Sequence, residues 1–238
     1  MEMTKYKNIS ESDQRKRVSH PPLQLDYDKS KPLIDLPKPE DIKVNAIDLR
    51  KAIEDRKSIR KYADKPLTLE ELSWLLWSTQ GVKKANPPYT LRNVPSAGAR
   101  HAFETLVLIN NVEGLEQGLY RYLALEHKLI EYIMDKGIRE KLVDAAYGQK
   151  MVMEGNATFI WVAVPYRIEW RYSERSYRYL HLDVGHVCQN LYLAAESIDS
   201  GVCAIAAFYD EKINEAVDID GENLFVIYLA SLGKKISE

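Results

Sequence analysis

The chain has 238 residues, of which 45% are hydrophobic and 29% charged, ordinary proportions for a globular protein that exclude a collagen-like or disordered chain. A formal net charge of -2 gives no general attraction to nucleic acid or to an anionic membrane, both of which require clustered Lys and Arg. No stretch resembles a targeting leader or reaches the length of a membrane span, so the expectation is a cytoplasmic protein with no membrane and no nucleic-acid partner.

Residues 1–45 hold Pro21, Pro22, Pro32, Pro37 and Pro39, which block regular helix and sheet, and are read as an extended N-terminal arm. The arm either wraps a partner subunit or hangs as a loosely held tail. A folded domain is expected over residues 46–238. It starts with a helix carrying Ile47, Leu49, Ala52 and Ile53 at the spacing of one face, ahead of the basic run Arg56-Lys57-Ser58-Ile59-Arg60. Thr68 with Glu71 three residues on is a capping box, and it predicts a helix through Leu72, Leu75 and Leu76 to Gly81.

Residues 82–100, crowded with Pro87, Pro88, Pro95 and Gly98, are expected to form a loop, followed by a strand from Thr105 to Ile109. Leu119 to Leu123 and Leu129 to Ile133 predict a hairpin, and Ile138 to Tyr147 a helix. The apolar run Thr158 to Val164 has the character of a strand buried on both faces. The longest helix is predicted from Ser176 to Ile198, with Gly201 suited to its C-terminal cap and His186 expected at a packed helix interface. A small-residue segment, Val202 to Ala207, leads to a short helix near Glu211 to Val217 and a last strand, Leu224 to Ala230. The fold class is α+β, with no internal repeat.

Four clusters could carry chemistry. Arg56, Ser58 and Arg60 can together hold one phosphate or carbonyl edge, although a solvated helix end has the same composition. Pro95-Ser96-Ala97-Gly98 offers a stiff loop with small residues, which suits either a flat ligand or a simple turn. Val202 to Ala207 is small enough to back a ring or to pack tightly as a strand. Lys234 and Lys235 follow the last strand as possible anion contacts. Cys188 and Cys203 are too far apart for a CxxC pair, and the five histidines show no ligand spacing beside them, so no metal is expected. Motifs for dinucleotides, nucleoside triphosphates, zinc proteases and serine hydrolases do not occur.

The ordered set Arg56 to Arg60, Leu67 to Gly81, Arg92 to Gly98, Gly118 to Tyr122, Tyr177 to Asn190 and Gly201 to Phe208 resembles the nitroreductase superfamily, and more narrowly its SagB-type dehydrogenases. The likeness runs from about Ile47 to Gly233 and leaves the arm outside. It implies a nitroreductase-like fold, a central mixed, mostly antiparallel sheet flanked by helices, in an intertwined homodimer with FMN at the subunit interface. It further implies that Arg56, Lys57 and Ser58 hold the phosphate end with help from Lys234 and Lys235, while Arg60 faces the flavin pyrimidine edge. Pro95, Ser96, Ala97 and Gly98 would come from the opposite subunit, and Cys203, Ala204, Ile205 and Ala206 would back the ring.

The activity implied is electron transfer from NAD(P)H through FMN to a small organic acceptor by a ping-pong mechanism, with no side-chain nucleophile expected. Arg171 and Tyr172 are the candidate substrate contacts. Azoline-oxidising members carry a Lys-Tyr pair where Arg171-Tyr172 stands here, and arginine, unlike lysine, stays protonated. That departure weighs against oxidation of a peptide azoline, which is the alternative activity together with a flavin-binding protein that does not turn over.

Overall fold

The computed structural model describes residues 2–236. Its elements in chain order are β1 (Leu33–Asp35), α1 (Leu49–Asp55), α2 (Leu69–Gln80), β2 (Val82–Asn86), β3 (Tyr89–Arg92), β4 (Phe103–Ile109), β5 (Gly118–Leu123) and β6 (Lys128–Ile133). They continue with α3 (Ile138–Ala145), α4 (Met151–Glu154), β7 (Ala157–Ala163), α5 (Tyr166–Tyr172), α6 (Ser176–Glu196), β8 (Ser200–Ile205), α7 (Asp210–Ala216) and β9 (Phe225–Lys234). Seven strands make one sheet in the order β1-β6-β5-β4-β7-β9-β8, and β2 pairs with β3 alone. All these pairings are antiparallel. Parallel contacts among the described residues are single bridges, Ser58 to Val202 and Leu67 to Val112. The architecture is the expected α+β arrangement of an antiparallel sheet flanked by helices.

The centre of the sheet follows from the strand period. Every residue of β7 is buried, and alternation sends Phe159 and Trp161 to one face, against Leu72 and Leu75 of α2 and Leu180 and Leu191 of α6. Ile160 and Val162 face the other way, against Leu142 of α3 and Ile213 of α7. Each such side chain contributes about 1.5–3 kcal/mol by leaving water, so a strand apolar at every position is stable only between two covered faces. The capping box forms as predicted: Thr68 Oγ1 accepts the Glu71 N–H at 3.1 Å, and Glu71 accepts the Thr68 N–H at 2.9 Å.

Several expectations change. Residues 82–100 are not all loop, because β2 and β3 form a hairpin with Pro87 and Pro88 between them. Its alternation is inverted: Thr90 and Arg92 are buried and Leu91 is exposed, since Arg92 donates to Gln80 Oε1 at 2.9 Å and to Thr90 Oγ1 at 3.2 Å. A buried polar face defeats a reading based on apolar period. Helix α6 ends at Glu196, and Gly201 lies within β8 rather than capping it. The final strand runs past Ala230 to Lys234 because β8 pairs with it, Gly201 opposite Gly233. His186 is exposed, on the face of α6 that carries Leu182 and Gln189, and not at a packed interface.

The arm docks on its own chain. Its β1 adds an edge strand beside β6. Further back, Leu25 N–H donates to Glu104 at 2.9 Å, Arg121 donates to the Asp26 carbonyl at 2.8 Å, and Arg167 Nε donates to the Pro22 carbonyl at 3.0 Å. Glu104 is buried and ion-paired with Arg121 and Arg167. Burial alone pushes its carboxyl up, but Arg167 and then Arg121 more than offset this and hold it below the usual carboxylate range.

Candidate functional site

Tyr192, in the second half of α6, gathers the first cluster. Its hydroxyl lies 3.0 Å from Ser58 Oγ and accepts the Ala204 N–H at 2.9 Å, and the Arg56 guanidinium sits 5.3 Å above its ring. The chain reaches this point because α1 stops at Asp55, and Ile59 N–H then donates to the Val202 carbonyl at 3.0 Å, laying the basic run along the free edge of β8. The approach is close enough that a Cβ at Gly201 would collide with the Ile59 side chain. Tyr62, just beyond, donates to the Ile59 carbonyl at 2.9 Å and to Ser231 Oγ at 3.2 Å, and burial pushes its phenol up.

Lys57, Ser58 and Arg60 are exposed and Arg56 is half-buried. None of the three cations Arg56, Lys57 and Arg60 has an ion pair among the described residues, in contrast to Lys51 and Arg50 on the preceding helix α1, which pair with Asp55 and Glu54. In β8, alternation divides the expected backing segment. Cys203 and Ile205 are buried on the α3 and α7 side of the sheet, Ala204 is half-buried on the Tyr192 side, and Ala206 is exposed past the strand end. Burial pushes the Cys203 thiol up, with Arg60 opposing, and the side chain is packed in the sheet.

The two C-terminal lysines part company. Lys234 is buried, and its ammonium pairs with Glu71 and donates to the Ile198 carbonyl at 2.7 Å, tying β9 to the start of α2. It is therefore not in the open group of cations. Lys235 is half-buried, pairs with Glu196, and its charge reaches Asp55 at the end of α1, beside Lys57.

The second cluster centres on Asp183, in the first half of α6. Its buried carboxylate accepts Ser96 Oγ–H at 2.6 Å and the Ala97 N–H at 3.1 Å, and Ser96 Oγ in turn accepts the His101 N–H at 2.9 Å. Burial pushes the Asp183 carboxyl up, against the pull of those two donors. It pushes the His101 imidazole down to about 3, helped by Arg92. Gly98 adopts a left-handed φ of 59°, and a Cβ there would lie 2.7 Å from Tyr172 Oη and 3.0 Å from Arg171 Cδ. Pro95 to Gly98 therefore meet Arg171 and Tyr172 within one chain, where Arg171 stacks 5.5 Å from the Tyr172 ring centre.

Nine positions separate Asp183 from Tyr192 on α6. At about 1.5 Å and 100° per residue, they are about 13 Å apart along the axis and about half a turn apart around it. One chain thus directs its two clusters to opposite faces of the same helix. The sequence reading named neither Tyr192 nor Asp183. A signal existed for Asp183, a carboxylate falling on the apolar stripe of Leu180, Val184 and Val187, where a buried charge must have dedicated partners.

The Tyr192 side fits a flat phosphorylated ring. It offers cations with no ion pair among the described residues, a hydroxyl, and the small side chains of Ala204 and Ala206, which do not block a planar group.

The nitroreductase family model matches residues 53–234, well over half of the chain. The protein MJ1384 of Methanocaldococcus jannaschii, whose name assigns it provisionally to the nitroreductases, is 35% identical over 203 residues, covering 85% of this chain and 96% of the relative. A crystal structure from Anabaena variabilis with the same provisional assignment is 29% identical with a TM-score of 0.64, over 79% of this chain but only 38% of that one. Another from Ralstonia eutropha, also so assigned, is 21% identical with a TM-score of 0.70, over 93% and 96% of the two chains, and so shares the fold. The chain belongs to the nitroreductase family.

Proposed function

We propose that the protein is a cytoplasmic FMN-dependent oxidoreductase that takes electrons from NAD(P)H and passes them to a small organic acceptor in a ping-pong cycle. Residues 46–238 form the flavin-binding domain, two copies make a homodimer, and each flavin lies between the Tyr192 side of one subunit and the Ser96 loop of the other. When bound there, FMN supplies the redox chemistry. Arg56, Lys57, Ser58 and Lys235 bind the phosphate end, and Arg60 places a fixed positive charge at the ring edge, which favours the reduced, anionic form. Ala204 and Ala206 back the ring, and the Ser96 loop with Arg171 and Tyr172 borders the open face where substrates enter.

The observation that carries this reading is the convergence on Tyr192 of Arg56, Ser58 and Ala204, with three cations left unpaired among the described residues. The opposite-facing placement of Asp183 and Tyr192 supports a shared site, because within one chain the two clusters leave α6 on opposite faces. Exposed Leu49 and Ile53 on α1 and Leu182 on α6 supply apolar surface for a partner copy. The test is the absorbance spectrum of the purified protein, followed by anaerobic addition of NADH and of NADPH. A flavin spectrum bleached by at least one nicotinamide is expected, with parallel lines in initial-rate plots. Bound flavin that neither nicotinamide bleaches would overturn the activity, and a colourless protein that cannot be reconstituted with FMN would overturn the site.

A further inference from the structure

The N-terminal arm, outside the matched family region, builds one wall of a second cavity. Residues 6–15 face the end of α5 and the turn after it across a cleft of about 580 Å³, a volume typical of small-molecule sites. Arg15, Arg171 and Arg175 line it against a single carboxylate, Glu11, and Tyr6 and Tyr172 contribute rings. Backbone contacts hold this wall in place: Gln14 N–H donates to the Trp170 carbonyl at 2.7 Å, Ser10 N–H donates to Glu174 at 2.9 Å, and Ser173 Oγ donates to the Ser10 carbonyl at 3.2 Å. The cleft is therefore a junction of two anchored segments.

Its cations are not equally engaged. Arg175 is oriented by the Tyr179 hydroxyl at 3.0 Å, the Thr4 carbonyl at 2.8 Å and the Tyr6 ring 4.1 Å away. Arg15 and Arg171 are exposed and have no ion pair among the described residues. Three guanidinium groups facing one carboxylate leave an excess of positive charge that an oxyanion would balance, and a guanidinium fork binds phosphate or carboxylate through two parallel hydrogen bonds. Arg171 also packs against Gly98, so the cleft opens beside the Ser96 loop.

We propose that this cleft seats an oxyanion of the substrate, either the 2′-phosphate of NADPH or the carboxylate of an aromatic acceptor, which makes the arm part of the substrate site. The inference rests on the proposed function for the position of the flavin and for the two classes of substrate. It is tested on the full-length protein by calorimetric titration with two ligand pairs that differ in one oxyanion: adenosine 2′,5′-bisphosphate against AMP, and 4-nitrobenzoate against 4-nitrobenzamide. The variants are Arg15→Gln and Arg171→Gln, both at exposed positions, with Lys29→Gln elsewhere on the arm as the control.

Tighter binding of the oxyanion-bearing member of one pair, by about tenfold or more, is expected in the wild type and in Lys29→Gln, and is lost in both arginine variants. Preference in the nucleotide pair assigns the oxyanion to the electron donor, and preference in the nitrobenzoyl pair assigns it to the acceptor. No preference in either pair, or one that survives both arginine substitutions, overturns the proposal. Titration needs no turnover, so an oxyanion preference in a protein whose flavin no nicotinamide bleaches would sink the proposed activity alone. Bleaching without any preference would sink the cleft alone.

Discussion

The two halves of α6 are built on opposite principles. Around Asp183 the polar groups satisfy one another inside the chain: a buried carboxylate holds Ser96 and Ala97, and Ser96 holds His101. Around Tyr192 the hydroxyls are satisfied, but the Arg56 guanidinium over its ring, like Lys57 and Arg60 in the same run, has no ion pair among the described residues. A closed network fixes a loop in one shape before anything binds, whereas open cations keep their full attraction for a ligand. The difference shows how one helix can hold a closed polar network on one face and, on the reading proposed above, an open binding surface on the other.

The largest test of this comparison is Asp183→Ala. It leaves the half-buried Ala97 N–H and Ser96 hydroxyl without their buried acceptor, so a loss of about 1–3 kcal/mol in urea denaturation is expected, with the protein purified nearly free of flavin. Unchanged stability and full flavin content would break the distinction between the two halves. Mixed dimers sharpen it: if the flavin is shared between subunits as proposed, one subunit carrying Asp183→Ala and the other Ser58→Ala with Arg56→Ala should regain one flavin per dimer, because one of the two sites is then intact. A mixed dimer as empty as its parents would place both clusters on one chain's flavin.

Tyr192→Phe removes the bonds to Ser58 and Ala204 but keeps the ring beneath Arg56. Destabilisation of about 1 kcal/mol and FMN binding weakened roughly tenfold are expected, measured by denaturation and by flavin fluorescence. The smallest effect concerns pH. His101 titrates near 6.5 when unfolded and at about 3 in the folded chain, so below about pH 6.5 the unfolded state takes up a proton that the folded state refuses. Stability should therefore fall on acidification, by up to about 1.4 kcal/mol per pH unit from this group. His101→Gln should reduce that slope without abolishing it, because burial lowers His127 in the same direction. An unaltered slope would show that the Asp183 half is not the acid-sensitive one.

Much of the fold was legible where a local rule operates. The capping box at Thr68 and Glu71, the doubly buried β7 and the apolar stripe of α6 each follow from a spacing that a few consecutive residues impose. The reading failed where burial is polar. Thr90 and Arg92 hide a strand because their partners, Gln80 and each other, are found only by folding. Lys234 sits among residues of ordinary surface type, yet its ammonium is buried against Glu71. Within the site, Arg56, Ser58 and the β8 segment were named together from the family likeness, while Tyr192, which joins them, went unnoticed because a tyrosine in an apolar helix has no distinguishing neighbours.

The sequence by itself determined the strongly periodic elements, α2, α6 and β7 among them, and which family the chain joins, since those depend on periodicity and on motif order along one dimension. Only the tertiary structure decided that the arm lies against its own sheet, that Lys234 is paired while Arg60 has no ion pair among the described residues, and that Asp183 and Tyr192 face opposite ways. Those facts depend on which distant polar groups meet, and a hydrogen bond or an ion pair is specified by position in space and not by separation along the chain.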